Sequence, residues 1–237
     1  MSMHADLLPR SGLIDSAANI AAPARARACG DVQGWDPENF AREQIRGLVR
    51  RVFFTNSGEP VKQVVFSAAE STTDVRDICL QVGHALALET SAEIAIVSRN
   101  SGPERAAVEH YPRHSGSAGI KPLSTRLETN LWRVPESALR ELCPEPAKDL
   151  CWRWALAELR KDFEYAVVQG PTAGLSSESG FLGQLADGII LVLEARSTRR
   201  ATARKIKEML EGTQSRILGT VLSERAFPIP EKIYQRL

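Results

Sequence analysis

Apolar positions along the chain fall into short, nearly uninterrupted bursts, and most of the segments between them carry the wider spacing of helices. Gln63-Val64-Val65-Phe66, Ile94-Ala95-Ile96-Val97, Asn130-Leu131-Trp132-Arg133-Val134 and Tyr165-Ala166-Val167-Val168 are four such bursts, and 188–193 and 216–222 are two more. Runs without apolar/polar alternation are strands covered on both faces. Asp36-Pro37-Glu38 opens a helix to about Phe54, with Asp as cap and Pro at the first helical position. Residues 56–60 (Asn-Ser-Gly-Glu-Pro) end it in a turn. Further helices are expected over 74–89, over 147–161 with a Trp152/Leu156/Leu159 stripe, and over 199–210 with Ile206, Met209 and Leu210 turned inward. Residues 99–122 and the Gly/Ser-rich stretch after Val168 read as loops, and 228–237 as a short terminal helix containing Tyr234. The pattern predicts an α/β fold: a doubly wound, mostly parallel sheet with helices on both faces. Residues 1–35, rich in Ala, Arg, Ser and Pro, form a flexible N-terminal arm in this reading, and 36–237 a single domain.

Composition narrows the function classes. The chain has 237 residues, 43% hydrophobic and 25% charged, with a formal net charge of +1. That balance argues against a protein devoted to coating nucleic acid or an anionic membrane. The longest clean apolar run, 189–193, is far too short for a bilayer, and the start has no secretory h-region, so a cytoplasmic protein with no direct membrane insertion is expected. Cys29, Cys79, Cys143 and Cys151 have no CxxC spacing and read as reduced, mostly buried thiols.

In doubly wound sheets, ligands bind in the turns at the carboxyl ends of the strands. The first such turn is 67–77, Ser-Ala-Ala-Glu-Ser-Thr-Thr-Asp-Val-Arg-Asp. Upstream lies Glu43-Gln44-Ile45-Arg46; downstream come 163–171 (Phe-Glu-Tyr-Ala-Val-Val-Gln-Gly-Pro), 185–192 (Leu-Ala-Asp-Gly-Ile-Ile-Leu-Val), Thr198-Arg199-Arg200 and 217–222 (Ile-Leu-Gly-Thr-Val-Leu). Over about residues 38–223 this order resembles the cytoplasmic domain of the bacterial tyrosine kinases of polysaccharide export, which are partition-type (deviant Walker) P-loop ATPases.

The resemblance implies a P-loop-NTPase-like fold, but the residues that carry its chemistry differ. The family's Gly-x-Gly-Lys-Ser/Thr falls on Thr72, Thr73, Asp74, Val75 and Arg76, its two aspartates after the next strand on Ser98 and Asn100, and the aspartate of its third motif on Gln169. The missing glycines let backbone N–H groups close round a phosphate, the lysine neutralises phosphate charge, and the hydroxyl and aspartates hold Mg²⁺. Lys replaced by Val75 and Gly by Asp74 shifts the local charge by two units, each worth about 3 kcal/mol at roughly 5 Å and an effective dielectric near 20. The combined loss, about 6 kcal/mol, would weaken a micromolar site roughly ten-thousand-fold. Ser71-x-x-Asp74 fits a capping box, so the turn is expected to be closed and self-capped. No Gly-Lys dipeptide occurs anywhere in the chain. These observations lead to an expectation of no cofactor and no catalytic residue, with ATP and Mg²⁺ as the alternative.

The other candidates read as ordinary structure. His110 and His114 have a metal-pair spacing but sit in a Pro/Gly/Ser loop, so no metal is expected; His84 reads as a packing residue, 176–180 is no nucleophile elbow, and the Arg196–Lys207 stretch is the wet face of a helix. Glu43, Arg46 and Arg50 resemble the family's subunit-contact motif, with the last arginine displaced by one position. The resulting reading is a catalytically inactive, tyrosine-kinase-like scaffold or regulatory partner in exopolysaccharide or capsule biosynthesis. Its expected partners are a second copy, an active tyrosine kinase or a membrane polysaccharide co-polymerase, held by that partner at the inner membrane face, and not nucleic acid. The alternative is a divergent ATPase or tyrosine kinase whose site is rebuilt from Arg76, Arg99, Glu70 and Glu194. In a third reading the vacated pocket binds another small molecule.

Overall fold

A computed structural model describes residues 37–55, 59–99, 119–142 and 151–224. Asp36, the 1–35 arm, Asn100, His110, His114, Cys29, Cys143 and Tyr234 lie outside the described residues.

The element order is α1 (Pro37–Phe53), β1 (Gln63–Ala68), α2 (Arg76–Glu89), β2 (Ile94–Ser98), a 3₁₀ turn (Lys121–Leu123), β3 (Thr125–Arg126), β4 (Leu131–Pro135), α3 (Glu136–Leu142), α4 (Cys151–Asp162), β5 (Tyr165–Gln169), α5 (Glu178–Leu185), β6 (Gly188–Glu194), α6 (Arg200–Gly212) and β7 (Ile217–Ser223). Among the described residues these strands form one seven-stranded sheet in the order β3-β4-β2-β5-β1-β6-β7, parallel throughout except for the short β3–β4 pair. The uninterrupted apolar bursts are the interior strands: every residue of β1 and β2 is buried.

Each face of the sheet has its own core. Leu48, Val49, Val52 and Phe53 of α1 and Cys79, Val82 and Leu86 of α2 pack against Val64, Phe66, Ile96 and Ile190. On the other face Trp152, Leu156 and Leu159 of α4, Leu182 of α5 and Ile206 and Leu210 of α6 meet Val65, Val97, Val168 and Ile189. Two inward assignments change. Met209 is 38% exposed because Ile206 and Leu210 already fill the sheet side of α6. His84 is exposed, with its Nδ1 2.7 Å from Glu128 Oε1. One expected loop also contains a helix, since 178–185 folds as α5. A Cβ on its Gly180 would meet Thr213 and one on Gly183 would meet Ser215 and Ile189, so these glycines serve close packing rather than turning.

Burial pushes the Cys79 thiol up, with the nearby Asp74 charge adding to it, and Cys151 is likewise a buried thiol, its Sγ donating to Leu139 O at 3.7 Å. No described helix is long and apolar enough to cross a membrane.

Candidate functional site at the carboxyl ends of the strands

Parallel strands deliver the turns after β1, β2, β4, β5 and β6 to one edge of the sheet, and every candidate residue of the pocket that is described lies there. The central turn, 69–75, leaves β1 between its two neighbours. On one side Ala69 N–H donates to Val192 O of β6 at 2.9 Å; on the other, Gly170 and Ala173 donate to Phe66 O and Ala68 O, each at 2.8 Å. The loop after β5 therefore lies directly along the exit of β1. A Cβ on Gly174 would stand 2.5 Å from the Ala69 carbonyl oxygen, so only glycine permits this approach. Ser67 and Ser179 hydroxyls both donate to Pro171 O beneath it.

Thr72 and Asp74, expected at the family's glycine positions, do not adopt a glycine-like backbone. Among the described non-glycine residues only Gln214 and Glu224 have positive φ, so the turn lacks the left-handed residues that aim successive N–H groups at a phosphate. The turn supplies its own anion, by a different route from a capping box. Helix α2 begins at Arg76, its N-cap is Val75, and no side chain caps it there. Instead the Asp74 carboxylate accepts from Arg76 N–H at 2.8 Å, the short-range bond that aspartate forms two residues ahead. Thr73 N–H donates to Glu70 O at 3.3 Å. Thr73 Oγ1 is buried with no hydrogen-bond partner among the described residues.

Two further groups flank the turn. Thr72 Oγ1 donates to Glu194 Oε2 at 3.3 Å, at the end of β6. Toward β2, Gln169 Oε1 accepts from Arg99 N–H at 3.1 Å, so this side-chain oxygen is engaged by backbone. The Arg99 guanidinium lies 3.4 Å from both Glu136 Oε2 and Glu178 Oε2. Arg140 Nε donates to Glu136 Oε1 at 2.8 Å, and its Nη2 lies 2.5 Å from that oxygen. Trp152 Nε1 donates to Glu178 Oε1 at 2.8 Å. The Glu136 hydrogen bond raises the Arg140 guanidinium further above its ordinary value. This cluster of two arginines and two glutamates, with Glu136 only 7% exposed, locks the carboxyl ends of β2 and β4 to α4 and α5. The sequence singles out only Arg99 of these four, because they lie on three separate segments, the end of β2, α3 and α5.

Of the four residues named for a rebuilt site, Arg99 stands apart from the others. Arg99 follows β2 and Glu194 ends β6, three strand steps apart or about 14 Å at the usual spacing. Arg99 is engaged by Glu136 and Glu178, whereas Glu194 is bonded to Thr72 of the central turn, which also carries Glu70 and leads into Arg76 at the start of α2. No group of three or more metal-ligating side chains occurs among the described residues.

Of the subunit-contact residues, Glu43 and Arg46 pair with each other at 3.0 Å along α1. Arg50 reaches across to α2, its Nη2 2.8 Å from Glu89 Oε1, and that hydrogen bond raises the guanidinium above its ordinary value.

No protein-family model matches the chain. It is 26% identical over 100 residues to the tyrosine-protein kinase CpsD of Streptococcus agalactiae, a match covering 41% of this chain and 43% of that protein. The chain thus spans less than half the length of the streptococcal relatives it matches. It is 18% identical over 200 residues to CapB of Staphylococcus aureus, which carries a tyrosine-protein kinase name, covering 79% of this chain and 86% of that one. Among solved structures, the kinase domain of Escherichia coli tyrosine kinase ETK superposes with a TM-score of 0.57 at 12% identity, covering 94% and 91% of the two chains. The chimerical protein CapA2B2 gives 0.55 at 18% identity, covering 76% and 83%, and the VpsO kinase domain 0.54 at 16%, covering 80% and 98%. The resemblance read from the sequence holds: the chain is a relative of bacterial tyrosine-protein kinases and has their P-loop-NTPase-like fold. The expectation of no cofactor is corrected by the same finding. Its relatives are kinases, a class that transfers phosphate from ATP with Mg²⁺, so the similarity associates that ligand pair with the fold.

Proposed function

We propose that the chain is a tyrosine-kinase-like scaffold or regulatory partner in exopolysaccharide or capsule biosynthesis that does not itself transfer phosphate. One observation carries the reading: at the carboxyl ends, the described positions that would hold the phosphate lysine, the magnesium hydroxyl and two of the metal carboxylates carry Val75, Arg76, Ser98 and Gln169, and Gln169 is already bonded to Arg99 N–H. Phosphoryl transfer is almost wholly positioning and charge neutralisation, so a site without those ligands has little left to catalyse with. The reading concerns transfer chemistry and not nucleotide occupancy. Its partners would be a second copy, through Glu43, Arg46 and neighbours on α1, or an active tyrosine kinase or membrane co-polymerase. Arg50, held by Glu89, supports the α1–α2 pairing that would present that surface.

A second reading, a kinase or ATPase with a rebuilt centre, draws on the Thr72–Glu194 pair, a hydroxyl and a carboxylate of the kind Mg²⁺ binds, beside the central turn.

The two separate in one assay: radiolabelled phosphate transfer from Mg²⁺-ATP by the purified chain, alone and with an active tyrosine kinase from its host. The scaffold reading expects no label or released phosphate from the chain alone and a changed rate in the added kinase. Transfer by the chain alone that disappears in Glu194→Gln would refute it and establish the second reading.

A further inference from the structure

The net charge of +1 conceals a strong local imbalance. Arg196, Arg199, Arg200, Arg204 and Lys205 follow one another from the end of β6 into the first half of α6, all exposed, and none has an ion-pair partner among the described residues. Without these five cations the rest of the chain carries a formal charge of 1 − 5 = −4, so the whole-chain sum hides a local basic patch. The arrangement runs against helix electrostatics. The first turn of α6 has no acidic residue, its N-cap is Arg199, and no side chain caps it, so cations gather where the helix dipole is already positive. Acidic residues appear only later, at Glu208 and Glu211, the latter 3.3 Å from Lys207 Nζ.

Apolar side chains protrude beside these cations. Leu175, 76% exposed, follows Gly174, whose Cβ position is 3.5 Å from Ile206 Cδ1 of α6. Leu222, 40% exposed, lies at the carboxyl end of edge strand β7 and pairs in register with Leu193, which is partly buried against the core on the α6 side. Ala195 N–H donates to Ser223 O at 2.9 Å, which brings Arg196 beside that strand end. Leucines that project singly among unpartnered arginines do not line a groove for an acidic peptide. They match a flat anionic interface, where cations meet headgroups and leucines enter the acyl boundary.

We infer that the first half of α6, with Arg196, Leu175 and Leu222, docks the protein on an anionic lipid bilayer, carboxyl edge of the sheet foremost. An exposed basic patch of this kind is steered toward an anionic surface even when the whole-chain charge is near zero.

The test is co-sedimentation of the full-length chain with phosphatidylcholine vesicles containing none or about 30% phosphatidylglycerol, at low and high salt. Binding is expected only to the anionic vesicles, and to fall with salt. Each cation near the surface is worth about fivefold in partition, so Arg199→Gln/Arg200→Gln/Arg204→Gln together should weaken it about 100-fold. Its Tm should hold or rise, because charges opposing the helix dipole are removed. Leu175→Ser, at an exposed site, should weaken binding several-fold and serves independently of how the triple variant folds. Equal binding to neutral vesicles, absence of binding to anionic ones, or unchanged binding by either variant overturns the inference. Retention on polyglutamate without vesicle binding also overturns it and assigns the surface to an acidic protein.

Discussion

Glu136→Ala is the substitution that most directly probes the carboxyl edge. The carboxylate is 7% exposed and receives Arg140 Nε at 2.8 Å, with Arg99 Nε at 3.4 Å from its other oxygen. Removing one member of a buried ion pair strands its partners and costs roughly 3–5 kcal/mol when they too are buried. Here the partners retain water: the Arg99 and Arg140 side chains are 28% and 56% exposed, and Glu178 remains close to both. Solvent screening of the stranded charges reduces the expected loss to about 2 kcal/mol. For a chain of this length that is a fall in Tm of roughly 4–8 °C. Differential scanning calorimetry measures it, and hydrogen exchange at the Arg99 amide, held by Gln169, shows whether the end of β2 loosens with it. Glu43→Gln, which breaks an exposed pair along α1, is the control and should change stability by less than about 0.5 kcal/mol. A change below about 1 °C for Glu136→Ala would refute the view that this cluster fastens the edge.

Two further outcomes follow from the packing. Burial pushes Glu93 up, but hydrogen bonds from Lys121 and Trp132 outweigh it and hold its carboxyl below the ordinary range. Its contribution to stability is thus complete above the unfolded value of about 4.3 and lost as pH falls through the lower folded value; Glu93→Gln should flatten the acid limb of a Tm–pH curve, and an unchanged limb would contradict this. Gly174→Ala places a methyl 2.5 Å from a backbone oxygen that cannot swing aside, so it should cost about 1–3 kcal/mol in chemical denaturation, whereas a neutral result would mean that the loop after β5 is not pressed on the β1 turn.

Much of the fold was legible because parallel strands buried on both faces have a plain signature. The bursts at 63–66, 94–97 and 165–168 became β1, β2 and β5 with little change at their ends. Helix α5 escaped because its glycines, spaced for contact with the Thr213–Ser215 turn, look like loop composition in one dimension. Met209 and His84 were misplaced for a related reason. A helical stripe shows which positions share a side, but the breadth of the buried side depends on the neighbouring layer.

What the sequence determined by itself is the order of the strands and most of the helices, the turns that follow the strands, and the residue types standing there: Thr72, Asp74, Val75, Arg76, Ser98 and Gln169. These are local properties, set by hydrophobic spacing and by identity. Tertiary structure alone decided which groups meet. It joined Glu136 and Glu178 to Arg99 and Arg140, engaged the Gln169 side-chain oxygen with a backbone amide, pressed Gly174 against Ala69, and separated Arg99 from Glu194 by the width of the strands between them. It also gathered the cations of α6 beside two exposed leucines, where a whole-chain charge sum records almost nothing. The physical reason is common to all of these. Coulomb and hydrogen-bond energies depend on distance in space, and strand order in a doubly wound sheet bears little relation to distance along the chain.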